Sequence, residues 1–293
     1  MRKGIILAGG SGTRLYPLTF SLSKQLLPIY DKPMIFYPLS TLIELDIREI
    51  LIITKKNDEA NFKQLLGDGS NFGVKLSYLT QDNPNGIAEG LIIGEQFLSQ
   101  DPCIYILGDN LFIGSIKKNK LENQIQKKKG ATIFSYKVND PERYGVVDLN
   151  EKNKPISIIE KPKNPTSNNA ITGLYFYDGQ ASQIAKNIKP SNRNELEITD
   201  INKFYFNKGL LSVSRIDDEV TWLDAGTISS LYECSDLVAT IQKRTGRKIA
   251  CLEEIAFLNK RISYNQLSNI RFKYGTSEYG QYLQNILDKH INN

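Results

Sequence analysis

Glycines and a cation follow one short apolar segment near the N-terminus. Residues 4–8 run directly into Gly9-Gly10-Ser11-Gly12-Thr13, and Arg14 comes next. Glycine allows backbone N–H groups to approach a ligand closely, so such a loop can cradle phosphate oxygens. A guanidinium at its end can hold two of those oxygens at once. The pattern indicates a phosphate-binding loop, and the alternative is a plain tight turn from strand to helix.

This loop matches one common type of nucleotide-binding loop incompletely and a second type not at all. Leu15 stands where the third glycine of a dinucleotide fingerprint would be, which disfavours a nicotinamide oxidoreductase. The Gly-Lys-Ser/Thr ending of a Walker A loop does not follow at the required spacing. Ten residues after Arg14, Lys24 interrupts an apolar segment that ends at Pro28. Arg14 and Lys24 together would supply the positive charges that transfer of a nucleotide requires.

Two carboxylates are predicted to project from the ends of strands. Asp109 follows the continuously apolar residues 103–107, and Asp224 follows Thr221-Trp222-Leu223. Carboxylate oxygens suit Mg²⁺, which binds through one or two carboxylates together with substrate phosphates. The alternative for each residue is a turn-forming aspartate.

Composition excludes several other classes of site and partner. The chain of 293 residues carries 37 Lys+Arg and 32 Asp+Glu, a net charge of +5 that is too small and too dispersed to indicate a nucleic-acid-binding protein. The one histidine, His290, is near the C-terminus, which argues against histidine metal sites and Ser-His-Asp triads. Cys103, Cys234 and Cys251 show no CxxC spacing, so a reducing cytoplasm is expected. No segment approaches the 18 apolar residues of a membrane span.

The periodicity of the chain predicts an α/β fold. Short apolar segments at 4–8, 49–54, 74–80 and 103–107 alternate with amphipathic stretches, as in a Rossmann-like, mostly parallel sheet flanked by helices. The second half predicts a mixed or antiparallel extension, with strands at 131–137, 144–149, 156–160, 170–177 and 210–215. Helices are predicted at 227–240, 251–260, 263–269 and 277–290. We expect a single domain, 1–293, with a catalytic core at 1–240 and a helical C-terminal segment at 241–293.

These motifs resemble the sugar-1-phosphate nucleotidylyltransferases, and most closely the members that use dTTP and glucose 1-phosphate. The resemblance begins with the glycine loop through Leu15 and with Lys24-Gln25-Leu26-Leu27-Pro28, and it continues in order through most of the chain. The further matching segments are 30–34, 66–70, 107–110, 140–147, 160–162, 172–177, 195–200 and 222–224. It implies that the enzyme makes dTDP-glucose and pyrophosphate, with Mg²⁺ as cofactor, for deoxysugar synthesis of the dTDP-rhamnose type.

The resemblance also implies a role for each matching position. Arg14, Lys24 and Lys161 would be catalytic cations, and Asp109 and Asp224 would share the metal ion. The positions implied for the nucleotide are Leu7, Gly9, Gly10, Ser11, Gly12, Thr13, Gln81, Gly86 and Asp109. The positions implied for the sugar phosphate are Asn110, Gly145, Glu160, Lys161, Thr172 and Gly173. Gln81 offers the donor and acceptor that the imide edge of thymine or uracil requires.

Some positions depart from the pattern of these relatives. Glu89 and Gly90 stand where Gln and Ala are expected, and Ala225 stands where Thr is common. These changes affect base and ribose contacts more than the reaction. Glu195, Glu197 and Asp200 could touch the sugar, but Asn194-x-x-Glu197 also predicts a helix N-terminus with acidic residues in its first turn. The structural interpretation is slightly favoured.

Assembly and regulation are implied by the resemblance alone. Relatives of this kind form homotetramers and are inhibited by the deoxysugar nucleotide that ends their pathway, at a site away from catalysis. Neither a nucleic acid nor a membrane is an expected partner, and the lysines at 117, 118, 120 and 127–129 predict a solvated helix face. Two alternatives remain open: transfer to another sugar phosphate or from UTP, and a non-catalytic nucleotide-sugar sensor.

Overall fold

The structure is a computed structural model that describes residues 2–114, 121, 124, 127 and 129–291. Lys117, Lys118, Lys120 and Lys128, which belong to the predicted solvated helix face, lie outside the described residues. No described helix is both long enough and apolar enough to cross a bilayer.

The strands alternate with helices in the first half and dominate the second. The strands are β1 (Lys3–Ala8), β2 (Pro28–Ile29), β3 (Lys32–Pro33), β4 (Glu49–Lys55), β5 (Lys75–Gln81), β6 (Cys103–Leu107), β7 (Asn110–Ile113), β8 (Ala131–Lys137), β9 (Gly145–Leu149), β10 (Pro155–Glu160), β11 (Asn169–Tyr177), β12 (Leu211–Arg215) and β13 (Thr221–Asp224). Each strand predicted from periodicity is confirmed to within a residue at either end. The short strands β2, β3 and β7 were not predicted.

The helices lie between and after these strands. They are α1 (Phe36–Glu44), α2 (Glu59–Leu66), α3 (Glu89–Ile93), α4 (Glu95–Leu98), α5 (Ala181–Asn187), α6 (Ile198–Asn207), α7 (Ile228–Thr245), α8 (Leu252–Leu258), α9 (Tyr264–Lys273) and α10 (Glu278–Ile291). The predicted C-terminal helices are therefore confirmed. Helix α7 begins in a capping box, in which Thr227 and Ser230 satisfy each other's backbone N–H groups, and ends at Gly246 with φ +66°.

The main sheet of the described chain has two halves of different character. Its strand order is β10-β9-β11-β6-β1-β4-β5, with β8 beside β11 and β12 beside β8. Strands β6, β1, β4 and β5 are mutually parallel, whereas β11 is antiparallel to β6, β8 and β9. The predicted parallel sheet with a mixed extension is confirmed. Because the parallel strands end at one edge, the loops after β1, β5 and β6 meet there.

Both faces of the central strands are buried. Within β1, Ile5 packs into one apolar cluster and Ile6 into another on the opposite face, and both side chains are 0% exposed. Tyr105 and Ile106 divide in the same way on β6. Burial on both faces explains why these strands are continuously apolar rather than alternating.

The C-terminal helices pack against the outer side of the core. Leu252 at the start of α8 belongs to the cluster that includes Leu39 and Leu42 of α1. The guanidinium of Arg261, just after α8, donates to the carbonyls of Ile43 at 2.7 Å and Ile47 at 2.8 Å. These bonds attach the C-terminal segment to the end of α1.

Candidate active site

A cavity of about 370 Å³ opens at the carboxyl edge of the parallel strands and extends over the mixed half of the sheet. Nearly all the residues that the sequence singled out line it. They are Leu7, Gly10, Ser11, Gly12, Thr13, Arg14, Lys24, Gln81, Gly86, Asp109, Asn110, Gly145, Glu160, Lys161, Gly173 and Asp224. The fold therefore brings together positions that are more than 200 residues apart in the chain.

Two of the predicted site residues, Gly9 and Thr172, do not line the cavity but lie next to residues that do. A Cβ atom on Gly9 would lie 2.3 Å from Oε1 of Gln81, so Gly9 gives space to that side chain. Thr172 is fully buried, and its Oγ1 has no hydrogen-bond partner within the described part of the chain. Its neighbour Gly173 is the residue that reaches the cavity.

The glycine loop forms one wall of the cavity. Gly12 adopts φ +71°, and its carbonyl accepts a hydrogen bond of 2.7 Å from the Thr19 hydroxyl. The carbonyl of Ser11 accepts a bond of 3.0 Å from Lys55 Nζ. Arg14 then lies in the short 3₁₀ helix Thr13–Leu15, with Leu15 fully buried beneath it. These bonds fix the conformation of the loop, of which residues Gly10 to Arg14 line the cavity.

Lys24, Asp109 and Asp224 form the charged centre of the cavity. Lys24 Nζ pairs with Asp109, and burial leaves their side chains only 13% and 11% exposed. Burial alone would raise the pKa of Asp109, yet the adjacent Lys24 ammonium holds it below its ordinary value. Burial, reinforced by the negative charge of Asp109, raises the pKa of Asp224 to about 6. For Asp224, burial and the charge of Asp109 therefore outweigh the opposing effect of the cations Lys24, Arg14 and Arg143.

Strand pairing places these carboxylates together. Asp224 at the end of β13 pairs in register with Asn110 at the start of β7, and the N–H of Ala225 donates to the carbonyl of Asp109. No group of three or more His, Cys, Asp or Glu side chains among the described residues forms a metal cage. The donor set at this point is instead two carboxylates that line the cavity, of which Asp109 also pairs with Lys24. Two such carboxylates fit a hard divalent cation that completes its shell with phosphate oxygens and water.

The strand β5 and the loop after it form a second wall. Gln81 ends β5 and is 4% exposed, and its Nε2 donates to Glu89 at 2.5 Å. Gly86 adopts φ +117°, and a Cβ there would lie 2.4 Å from the backbone nitrogen of Leu196. Leu196 also bonds through its backbone to Asn85 and Ala88. The loop is thus packed against the segment that leads into α6.

Asn110 organises the far side of the cavity. Its Oδ1 accepts from the N–H of Gly173 at 2.8 Å and from Trp222 Nε1 at 2.7 Å. A Cβ on Gly173 would lie 2.6 Å from this carboxamide, which explains the glycine. The sequence did not predict that Trp222 holds the Asn110 side chain, because the two residues are 112 positions apart.

An acidic and basic cluster borders the same side. Thr199 donates to Glu160, and Arg193 makes two bonds of 2.8 Å to the carboxylate oxygens of Glu197. Arg193 also lies 3.4 Å from Glu160 and lines the cavity. Burial leaves only 7% of the Glu197 side chain exposed, so this carboxylate positions Arg193.

The prediction of a helix N-terminus at Asn194-x-x-Glu197 was wrong in its register. Helix α6 begins at Ile198 with Glu197 at the N-cap position, and Asp200 is the acidic residue of the first turn. Asn194 instead adopts φ +59° in a turn, and Glu195 lines the cavity. The cap side chain makes no bond to the helix, because Glu197 is already bound to Arg193.

Arg143 and Arg193 are the two cavity cations that the site interpretation missed. Arg143 donates to Asp140 at 2.6 Å, while its Nη2 lies 3.8 Å from Asp224 and has no hydrogen-bond partner among the described residues. The segment 140–147 was recognised as a matching motif, and that was the available signal for Arg143. For Arg193 the sequence offered none, because a surface arginine in a polar loop is common.

Comparison with known proteins gives a consistent result. A family model described as nucleotidyl transferase matches residues 3–241. The glucose-1-phosphate thymidylyltransferase of Neisseria meningitidis is 51% identical over 98% of this chain and 100% of its own length. A crystal structure of a Bacillus anthracis protein described as glucose-1-phosphate thymidylyltransferase, in complex with sucrose, has a TM-score of 0.76 and 43% identity over 81% of this chain and 95% of that one. UDP-glucose pyrophosphorylase complexed with UDP-glucose is also similar, with a TM-score of 0.71 and 26% identity over 83% of this chain and all of that one.

Proposed function

Because the chain belongs to the nucleotidyl transferase family, we propose that it transfers a thymidylyl group from dTTP to glucose 1-phosphate, giving dTDP-glucose and pyrophosphate. The observation that carries this proposal is the cavity itself. Its lining combines the glycine loop with the amide of Gln81 at the end of β5. The charged residues of the lining include the cations Arg14, Lys24 and Lys161 and the carboxylates Asp109 and Asp224. Such a set suits a polyphosphate, a base and a second phosphate in one space.

The reaction needs little proton chemistry. An oxygen of glucose 1-phosphate attacks the α-phosphorus of dTTP, and the bond from that phosphorus to the bridging oxygen breaks as pyrophosphate leaves. The attacking phosphate is already an anion at neutral pH, so no general base is required. The one histidine of the sequence agrees with this: His290 lies in α10, with its ring 5.0 Å from the ring of Phe257.

The residues of the chain align two anions and stabilise the charge that develops between them. Arg14 binds the departing pyrophosphate, Lys24 holds the phosphate charge beside Asp109, and Lys161 binds the sugar phosphate. Asp109 and Asp224 would hold Mg²⁺, which when bound would supply a Lewis acid. Glu160 accepts from a sugar hydroxyl, and Gly145 and Gly173 let the hexose approach the backbone.

The test is release of pyrophosphate with Mg²⁺ and glucose 1-phosphate, comparing dTTP, UTP, ATP, GTP and CTP. We expect fast turnover with dTTP, appreciable turnover with UTP and little with purine nucleotides, which would leave the contacts of Gln81 unmade. Asp109→Ala should reduce kcat by orders of magnitude, whereas Asp218→Ala, at an exposed position outside the cavity, should not. Near-normal turnover by Asp109→Ala would contradict the assignment.

Use of UTP as the donor is the second candidate function. The similarity to UDP-glucose pyrophosphorylase favours it, and thymine differs from uracil by only one methyl group. A methyl group in an apolar pocket discriminates by about 1–3 kcal/mol. Pyrophosphate release measured with dTTP and with UTP ranks the two donors directly.

Assembly, regulation and location belong to the same proposal. We propose a cytoplasmic homotetramer inhibited by a dTDP-deoxysugar, with residues 241–293 as the assembly or regulatory part of one domain. The buried, unpaired thiols of Cys103, Cys234 and Cys251 support a reducing compartment. Light scattering measures the assembly, and inhibition of pyrophosphate release by a dTDP-deoxysugar measures the regulation.

A further inference from the structure

The carboxylate of Glu89 binds the amide of Gln81, the residue proposed to contact the base. Gln81 Nε2 donates to Glu89 Oε2 at 2.5 Å, and Asn85 Nδ2 donates to Glu89 Oε1 at 2.8 Å. The backbone N–H of Asn85 also donates to Oε2, at 3.3 Å. Both oxygens of Glu89 are therefore fixed by donors from the loop that follows β5.

This contact fixes which way the Gln81 amide points. An ionised carboxylate only accepts hydrogen bonds, so the NH₂ group of Gln81 must be the part that faces Glu89. Gln81 is 4% exposed, and its Oε1 lies so close to Gly9 that a Cβ there would approach within 2.3 Å. The side chain thus has little room to choose another rotamer. Gln81 lines the cavity, so Oε1 and the second N–H remain as the acceptor and donor available to a ligand.

That arrangement matches one class of base. Thymine and uracil present an N–H between two carbonyl oxygens. The N–H can donate to Oε1 of Gln81 while one of the carbonyl oxygens accepts from its N–H. Cytosine presents an acceptor nitrogen and an amino group instead, so it requires the amide to turn by 180°. Turning would bring Gln81 Oε1 against the carboxylate of Glu89, replacing a charge-assisted hydrogen bond with repulsion.

We infer that Glu89 is a positioning residue that enforces selection of imide bases over cytosine by locking the orientation of the Gln81 amide. The inference rests on the proposed function for the identity of the nucleotide. A glutamine at position 89, as the resemblance led us to expect, both donates and accepts, so it can meet Gln81 in either orientation, at the cost of the 3.3 Å bond from the Asn85 N–H when its own amide turns. The charge of Glu89 is the feature that removes this freedom.

The experiment compares Glu89→Gln with the unaltered protein, using dTTP, dUTP and dCTP with glucose 1-phosphate. We expect Glu89→Gln to lower the ratio of kcat/KM for dTTP over dCTP by at least about 10-fold, mainly through a lower KM for dCTP. The ratio for dTTP over dUTP should stay within about 2-fold, because the amide does not contact the methyl group. Glu95→Gln is the matched control, since Glu95 lies on the next helix and bonds to Gln183 and Lys186.

A merely structural role for Glu89 predicts a different result. Loss of its bonds to Asn85 would then weaken the binding of all three nucleotides alike. The kcat/KM ratios of dTTP over dCTP and of dTTP over dUTP would stay unchanged. Glu89→Ala provides a second test if Glu89→Gln folds poorly, because it also removes the lock. If the unaltered protein uses dTTP but neither variant changes the dTTP over dCTP ratio, the inference is overturned and the proposed function stands.

Failure of the proposed function has its own signature. If the unaltered protein releases no pyrophosphate from any nucleotide, equilibrium binding of dTTP, dUTP and dCTP replaces turnover as the readout. Relaxed discrimination against dCTP in Glu89→Gln would then still support the inference, and an unchanged binding ratio would refute it.

Discussion

At the scale of single residues, Asp224 carries a charge that its own surroundings disfavour. Burial and the nearby Asp109 raise its pKa from 3.8 to about 6. The cation-binding role proposed for Asp224 would therefore come at a cost to stability. The folded carboxyl binds a proton more tightly than the unfolded one, so the free energy of unfolding falls as pH rises from about 4 to about 6.

Asp224→Asn should consequently stabilise the protein while abolishing its activity. In a buffer with a chelator, we expect the Tm of the variant to exceed that of the parent by a few degrees at about pH 8. The difference should vanish near pH 4, where the protonated Asp224 of the folded parent is neutral, as the asparagine of the variant is. Asp218→Asn is the control, because the Asp218 side chain is 90% exposed and should leave Tm unchanged at both values. A variant less stable than its parent at about pH 8 would show that the charge is fully compensated.

The same titration should appear in activity. Protons and a divalent cation compete for Asp224, so kcat/KM at limiting Mg²⁺ should rise as pH increases through about 6. Raising the concentration of Mg²⁺ should move that midpoint to lower pH. A midpoint that does not respond to Mg²⁺ would assign the titration to another group.

At the scale of elements, the loop after β5 depends on its packing against the segment before α6. Gly86→Ala would place a methyl group 2.4 Å from the Leu196 backbone at φ +117°, so the loop has to move. We expect KM for dTTP to rise at least about 10-fold, because Gln81 and Gly86 share this wall of the cavity.

Gly67→Ala separates backbone strain from displacement of the loop. Gly67 also has a positive φ, +61°, but a Cβ there meets nothing within 4 Å. It should cost about 1–3 kcal/mol of stability and leave KM unchanged. Equal effects of the two substitutions on KM would contradict the proposed wall.

At the scale of the whole molecule, Arg261 joins the C-terminal helices to the core. Its side chain is 1% exposed, and it donates to two carbonyls near the end of α1 and to Asp46. Arg261→Ala would leave those carbonyls without this donor, at a cost of about 2–4 kcal/mol. Hydrogen exchange in residues 252–291 should accelerate more than in the sheet.

The matched control for that experiment is Arg215→Ala. Arg215 is 54% exposed and pairs with the exposed Asp218, so its loss should change neither stability nor exchange by a measurable amount. Uniform acceleration over the sheet and the C-terminal helices would show that the two unfold as one unit. Helix α7 makes this a real alternative, because it continues unbroken from Ile228 to Thr245 across residue 240.

The sequence by itself determined the strands of the main sheet and the loops that line the cavity. Continuous apolar segments, glycines at tight turns and an aspartate beyond a buried strand are local signals, each acting over a few residues. Parallel strands end at one edge of a sheet, so the neighbourhood of the glycine loop, Gln81 and Asp109 also follows from the pattern.

Only the tertiary structure decided which side chains meet across that neighbourhood. Asn110 binds Gly173 and Trp222, Arg193 is held by Glu197, and β7 pairs with β13. The bond from Gln81 to Glu89 spans just eight residues, yet it depends on a loop shaped by contacts with Leu196, far away in the sequence. Periodicity and turn preferences contain no information on such pairs, because the partners are chosen by the order of strands in the sheet and by the space that remains between them.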